Sequence, residues 1–183
     1  MIPTKSAVQL IGAVVFLAFV VLAIHFLAIP DAEASAATLT KTYTNAAYGF
    51  TLKMPADFSA YPQGATPDRD ATGAPTGQAI VLKDARGAAV QIVVTPDGRA
   101  ASSNILTAED IEQLAPYFDL SQAEPLQIAP GVIGMTFVDT EHPVYGSSTA
   151  NVWFAYRGNL YEVIADANDG ALFRSMIATW AFI

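Results

Sequence analysis

An α+β fold is predicted: an antiparallel β-sheet with helices packed on its faces, preceded by one N-terminal transmembrane helix. Three observations carry it. Two pairs of β-rich runs are joined by short glycine-containing turns, which is hairpin patterning. The last fifteen residues repeat apolar side chains at helical spacing, so one helix must lay an apolar face on that sheet. Ahead of both, Ala7 to Ile29 is a nearly unbroken apolar run, broken only by Gln9 and His25. At about 1.5 Å of rise per residue it spans roughly 30 Å, the hydrocarbon thickness of a bilayer.

Three parts follow along the chain: residues 1–30 as the anchor, 31–40 as an Ala/Ser/Thr-rich linker, and 41–183 as one extracytoplasmic domain. Lys5 precedes the apolar run, and Asp31 and Glu33 follow it. Positive charge stays cytoplasmic, so the N-terminus is expected inside and the domain outside. Ala32-Glu33-Ala34 and Ala34-Ser35-Ala36 resemble signal-peptidase sites. The run exceeds the length of a cleaved segment, which favours a retained single-pass anchor in the cell membrane. The alternative is a secreted or periplasmic domain released near Ala34 or Ala36. His25, close to the outer end, reads as an interfacial residue.

Within the domain, Tyr48 to Pro55 alternates. Phe50, Leu52 and Met54 face one way and Thr51 and Lys53 the other, a half-buried strand. Tyr61 to Gly77 carries three prolines and three glycines and reads as a long irregular loop. Ala79–Lys83 and Ala88–Val94 flank Asp84-Ala85-Arg86-Gly87 as the first hairpin. Thr107 is placed to cap a short helix with Glu109 and Asp110 in its first turn, Ile111 and Leu114 on its apolar face and Pro116 near its end. Val132–Val138 is a further strand. Ala150–Tyr156 and Leu160–Ala165 form the second hairpin around Arg157-Gly158-Asn159. Asn168 or Asp169 then caps a helix presenting Leu172, Phe173, Met176, Ile177 and Trp180 on one side.

Charge and composition exclude several functions. The chain carries a net −8, and from Thr38 onward 15 acidic residues face 8 basic ones. Nucleic acid and a polybasic grip on lipid both need the opposite balance. The absence of cysteine removes disulfides, thiolate metal sites and a cysteine-linked lipid. The domain has one histidine, His142. Ser147 and Ser148 lie nearby, but no nucleophile elbow surrounds them, so an exposed loop histidine is expected. Asp166-Ala167-Asn168-Asp169-Gly170 lacks the spacing of a calcium loop and reads as helix capping. Gly131-Val132-Ile133-Gly134 lacks the lysine of a phosphate loop. No catalytic, metal or cofactor residue is assigned. Loops gather partner contacts, so Asp68, Arg69, Asp70, Glu141, His142 and Tyr145 are the candidate partner surface.

The stretch Tyr43-Thr44-Asn45-Ala46-Ala47-Tyr48-Gly49-Phe50, continuing through Pro55 to Phe58, resembles the opening of PsbP/Mog1-like domains, written Y-x-N-x-x-Y-G-F-x-h-x-h-P-x-x-W/F with h apolar. The closing hairpin and helix, running into Thr179-Trp180-Ala181-Phe182, fit as well. Phe58 stands where tryptophan is frequent, and both serve as aromatic core anchors. The resemblance spans Lys41 to Ile183. It implies an α/β/α sandwich, an N-terminal anchor or signal as in many bacterial members, and a binding or accessory role without catalysis. It brings no catalytic residue and no cofactor. In physical terms Tyr48 and Phe50 are expected in the core and Gly49 in a backbone geometry that a side chain would hinder.

The expectation is a membrane-tethered binding or accessory module with an unidentified protein partner and no nucleic acid. Two alternatives stand beside it. One is an exported hydrolase in which Asp139, Glu141 and Asp166 gather around His142. The other is a small subunit of a larger membrane complex, with Gly12 and Ala13 letting another helix approach.

Overall fold

The structure is a computed structural model, and it describes residues 38–69, 75–97, 103–140 and 147–183. Its elements are β1 Leu39–Asn45, β2 Phe50–Pro55, β3 Ser59–Arg69, β4 Pro75–Lys83, β5 Ala89–Pro96, α1 Ala108–Leu114, β6 Glu124–Ala129, β7 Val132–Asp139, β8 Thr149–Tyr156, β9 Asn159–Asp166, a 3-10 turn Ala167–Asp169, α2 Gly170–Ile177 and β10 Ala181–Phe182. The anchor expected at Ala7 to Ile29 lies outside the described residues. Among those described, no helix is long and apolar enough to cross a membrane.

Seven strands form one sheet in the order β3-β4-β5-β9-β8-β7-β6, and three form a second in the order β1-β2-β10. Every pairing between named strands is antiparallel. The larger core lies on one face of the large sheet, where Ile80, Ile92, Val152, Phe154, Tyr161 and Val163 meet Phe50, Leu52 and Met54 of β2 and Phe173, Met176 and Ile177 of α2. The expectation of helices on both faces is corrected here. A second sheet shares this face with α2, because β2 is too short and too apolar on one side to stand without it. The opposite face carries a smaller core, with Leu106, Ile111, Ala115 and Phe118 on Met135, Phe137, Trp153, Ala155 and Leu160.

α1 begins as its sequence requires. The Thr107 hydroxyl accepts from the Asp110 N–H, and the Asp110 carboxylate accepts from the Thr107 N–H at 2.9 Å, a reciprocal cap. The chain before it is pinned to β7: the Leu106 N–H donates to the Ile133 carbonyl and the Ile133 N–H to the Asn104 carbonyl. The second hairpin turns on two residues only, Arg157 and Gly158, both with positive φ (47° and 77°). That backbone matches the right-handed twist of the flanking strands. Asn159 already pairs with Tyr156.

Four expectations change. Tyr61 to Gly77 is not a loop throughout: β3 and β4 pair across most of it, from Ser59↔Lys83 to Arg69↔Pro75. Proline is tolerated in an edge strand or at a strand's first residue, where no ladder N–H is lost. The edge strand β3 holds Pro62 and Pro67, Pro75 opens β4, and a register shift between Gln63 and Asp68 absorbs the extra residues. The linker ends at residue 38, since Leu39 and Thr40 belong to β1. β1, β6 and β10 were not foreseen. The last helix is capped neither by Asn168 nor by Asp169. The Asp166 carboxylate accepts from the Asn168 N–H and caps the 3-10 turn, which runs on into α2.

Candidate functional site

The Tyr43–Phe50 signature builds structure. Asn45 is 6% exposed. Its side-chain oxygen accepts from the Tyr48 N–H at 3.1 Å, closing the turn between β1 and β2. Its amide nitrogen donates to Gln78 Oε1 at 3.0 Å, tying the small sheet to β4. Gly49 has φ +64°, as its place in the turn demands, and its carbonyl accepts from the Ile183 N–H. Phe50 is fully buried and stacks on Trp180 at 4.4 Å between centroids. The Tyr161 hydroxyl donates to the Tyr48 carbonyl, and burial raises its pKa well beyond the usual tyrosine range. Every polar contact named here joins two parts of the fold.

The opposite face of the large sheet is different. Strand alternation and register set Asn151, Trp153 and Ala155 of β8 on the α1 side, beside Leu160, Glu162 and Ile164 of β9. Glu162 lies directly opposite Trp153 on one side and Val93 of β5 on the other. Asn151 is one step along, opposite Phe137 and Ile164. Directly opposed side chains sit roughly 5 Å apart at Cβ and diagonal ones roughly 7 Å, so the three polar groups share one small region.

Their hydrogen bonding is incomplete. Asn151 is fully buried, and its Nδ2 donates to the Thr149 carbonyl at 3.1 Å and the Thr149 hydroxyl at 3.0 Å. A carbonyl only accepts, so the amide orientation is fixed and Oδ1 is turned away from Thr149. That oxygen has no hydrogen-bond partner. Trp153, 3% exposed, is gripped edge-on by Phe118 and Phe137, and its Nε1 has none either. Glu162 is partly exposed, yet its carboxyl is surrounded by protein and receives no hydrogen bond or ion pair among the described residues. Burial lifts its pKa to about 7. Tyr117, exposed at the edge of α1, has its hydroxyl pKa raised first by burial and then by the negative charges of Glu162 and Asp139. The region therefore offers two carboxylates and an amide oxygen as acceptors, one indole N–H as donor, and aromatic walls.

No family model matches the chain, and no curated protein sequence matches it. Among solved structures it is similar to PsbP of the cyanobacterium Synechocystis sp. PCC 6803 (CyanoP), at 12% identity and a TM-score of 0.49 over 85% of this chain and 99% of that one. It is also similar to a protein of Bacteroides thetaiotaomicron VPI-5482, at 11% identity and a TM-score of 0.45. That match covers 80% of this chain and 49% of the other.

The expected partner surface divides. Asp68 and Arg69 lie at the end of β3, paired with Gly77 and Pro75. Asp70, Glu141, His142 and Tyr145 lie outside the described residues. Segment 141–146 joins β7 to β8 beyond the Asp139↔Thr149 pair, at the opposite end of the strands from Arg69. The two halves of that surface are thus attached at opposite ends of the sheet. Asp139 and Asp166 do share one cross-strand row, with Thr149 between them. Asp166 spends one oxygen on its cap.

Sequence reading missed Asn151, Trp153 and Glu162 because they sit inside runs that read as plain core strands. One signal was available: β8 is apolar at nearly every position, as a strand buried on both faces must be, and Asn151 is its polar exception.

A second polar cluster is at the β4–β5 turn. Asp84, 6% exposed, accepts from the backbone N–H groups of Arg86, Gly87 and Ala88 and from Arg86 Nε at 2.8 Å. Burial opposes its charge, but these donors outweigh burial and hold its pKa below the usual carboxylate value. Its hydrogen bonds are satisfied within the turn, which makes it a structural group.

Proposed function

We propose that this chain is a binding or accessory module that does no chemistry of its own, tethered to a membrane with its domain outside the cytoplasm. One observation carries the binding role. On the α1 face of the sheet, Asn151, Trp153 and Glu162 hold unmet hydrogen-bonding capacity within a few ångströms of each other, in a fold whose other buried polar side chains serve turns and joints. Burying unpaired polar atoms costs about 1–3 kcal/mol each, which favours a site that a ligand completes. The tether rests on the sequence: the length of Ala7–Ile29, with Lys5 before it and Asp31 and Glu33 after it. Protein contacts are assigned to the Asp68–Arg69 strand end and to segment 141–146.

Purification of the full chain from membranes, with mass spectrometry of its N-terminus and companions, tests this reading. A retained Ala7–Ile29 segment and a reproducible companion protein are expected. A mature start at Ser35 or Ala37 overturns the tether, and the absence of any companion overturns the accessory role.

The row Asp139–Thr149–Asp166 favours a second reading, an exported hydrolase, because it brings two of the three required carboxylates to the strand end from which Glu141 and His142 continue. Turnover of model esters that disappears in His142→Ala would establish it.

A further inference from the structure

Resting on the binding role above, we propose that the Asn151–Trp153–Glu162 region takes a small amino alcohol: a protonated amine with a hydroxyl oxygen two or three bonds away. The unmatched atoms dictate this chemistry. Asn151 Oδ1 is a lone acceptor with its amide nitrogen committed to Thr149, so it needs an N–H or O–H donor. Glu162 is a carboxyl with no cation beside it, facing Trp153 across one strand pair and Val93 across the other. Trp153 Nε1 is a donor without an acceptor. A neutral apolar ligand would leave all three unmet, and an anion would face Glu162 and Asp139. An ammonium satisfies Oδ1 and neutralises Glu162, and a neighbouring hydroxyl oxygen accepts from the indole.

The surroundings agree in sign and size. The groups reaching this region are Gln91, Val93 and Thr95 from β5, Asn151, Trp153 and Ala155 from β8, Asp139 from β7 and Tyr117 beside α1, a set without a lysine or arginine. The chain's net −8 raises the local concentration of cations. Aromatic rings beside the site, Trp153, Phe118 and Tyr117, are suited to an ammonium. Separations of one cross-strand pair and one diagonal leave room for a ligand of only a few heavy atoms. Trp153 and Asn151 are almost wholly enclosed, so entry is past the partly exposed Glu162.

The probe is 2-aminoethanol, titrated calorimetrically into the full chain in detergent at about pH 8, with ethylammonium and butyrate as controls. Saturable binding in the millimolar range is expected, weaker by ~10-fold for ethylammonium, which lacks the oxygen. Butyrate should not bind. Glu162→Gln, nearly isosteric, should weaken 2-aminoethanol by ~10-fold or more and abolish the loss of affinity otherwise seen on lowering the pH to about 6. Asn151→Leu should do the same at either pH. Should that variant fail to fold, Glu162→Gln still decides. No saturable heat with 2-aminoethanol, or affinity unchanged in Glu162→Gln, overturns the proposal. Failure here with a companion protein still recovered from membranes removes the ligand and leaves the accessory role. Binding here without any companion does the reverse.

Discussion

Glu162 shows how one side chain makes the whole domain sensitive to pH. Unfolded, a glutamate titrates near 4.5; in the fold, burial moves this one to about 7. Between those values the folded state holds more protons than the unfolded state, so stability falls as pH rises through that window. The side chain meets some solvent, so the loss is placed at ~1–3 kcal/mol, below the full desolvation figure. Glu162→Gln should therefore be neutral near pH 4.5, stabilise the domain by that amount above pH 7, and flatten the pH dependence. Urea unfolding at both ends of the window measures it, and an unchanged slope in the variant would refute the assignment. Asp84 works in the opposite direction. Its lowered pKa makes its contribution present above the unfolded carboxylate value and lost as pH falls through the folded one. Asp84→Ala removes the acceptor for three backbone N–H groups and one guanidinium N–H, and should cost about 2 kcal/mol at neutral pH.

At the scale of elements, capping and close approach decide. Thr107→Ala removes one half of the reciprocal cap and should cost about 1 kcal/mol by thermal unfolding, with Thr107→Ser recovering most of it. Gly134→Ala should be far worse. A methyl group there would overlap the Trp153 carbonyl and press on Phe154 Cβ, so β7 and β8 could not keep their spacing. A loss of at least ~3 kcal/mol is expected, and a variant as stable as the parent would show that the strands separate freely. These cases also mark what could be read beforehand. α1, the second hairpin and the Phe50–Met54 strand each carry a local signal, a cap, a turn or an alternation, and all three stand where the residues put them. β3 carries the opposite local signal, three prolines and three glycines across its hairpin region, and exists because β4 offers it a ladder. β10 has two residues and is a strand only because β2 is beside it. Partners distant in sequence create such elements, and no local pattern announces them. The same holds for the site, since Asn151 and Glu162 become neighbours only once β8 and β9 are in register.

At the scale of the molecule, Trp180 decides whether the two sheets behave as one. It is 5% exposed and touches both: Phe50 of the small sheet at 4.4 Å between ring centroids, Phe154 of the large one at 5.0 Å and Tyr161 at 5.9 Å. Two further links lie next to it, Phe182 stacked on Tyr156 at 3.7 Å and the Ile183 N–H on the Gly49 carbonyl. The small sheet has three strands, one of them two residues long, too few to hold on its own. Its stability must come from this junction. Trp180→Ala should thus cost ~3–5 kcal/mol and be felt throughout the domain. The chain has two tryptophans, so the variant leaves Trp153 as the only indole, set on the opposite face of the large sheet beneath Phe118. Its fluorescence then reports the far side of the molecule. Coupled sheets require the Trp153 transition in urea to move to lower concentration by the same amount as the backbone circular dichroism. A Trp153 transition that stays in place while part of the circular dichroism is lost early would mean that the small sheet and C-terminal helix detach alone, leaving the candidate site on an independently stable seven-stranded sheet.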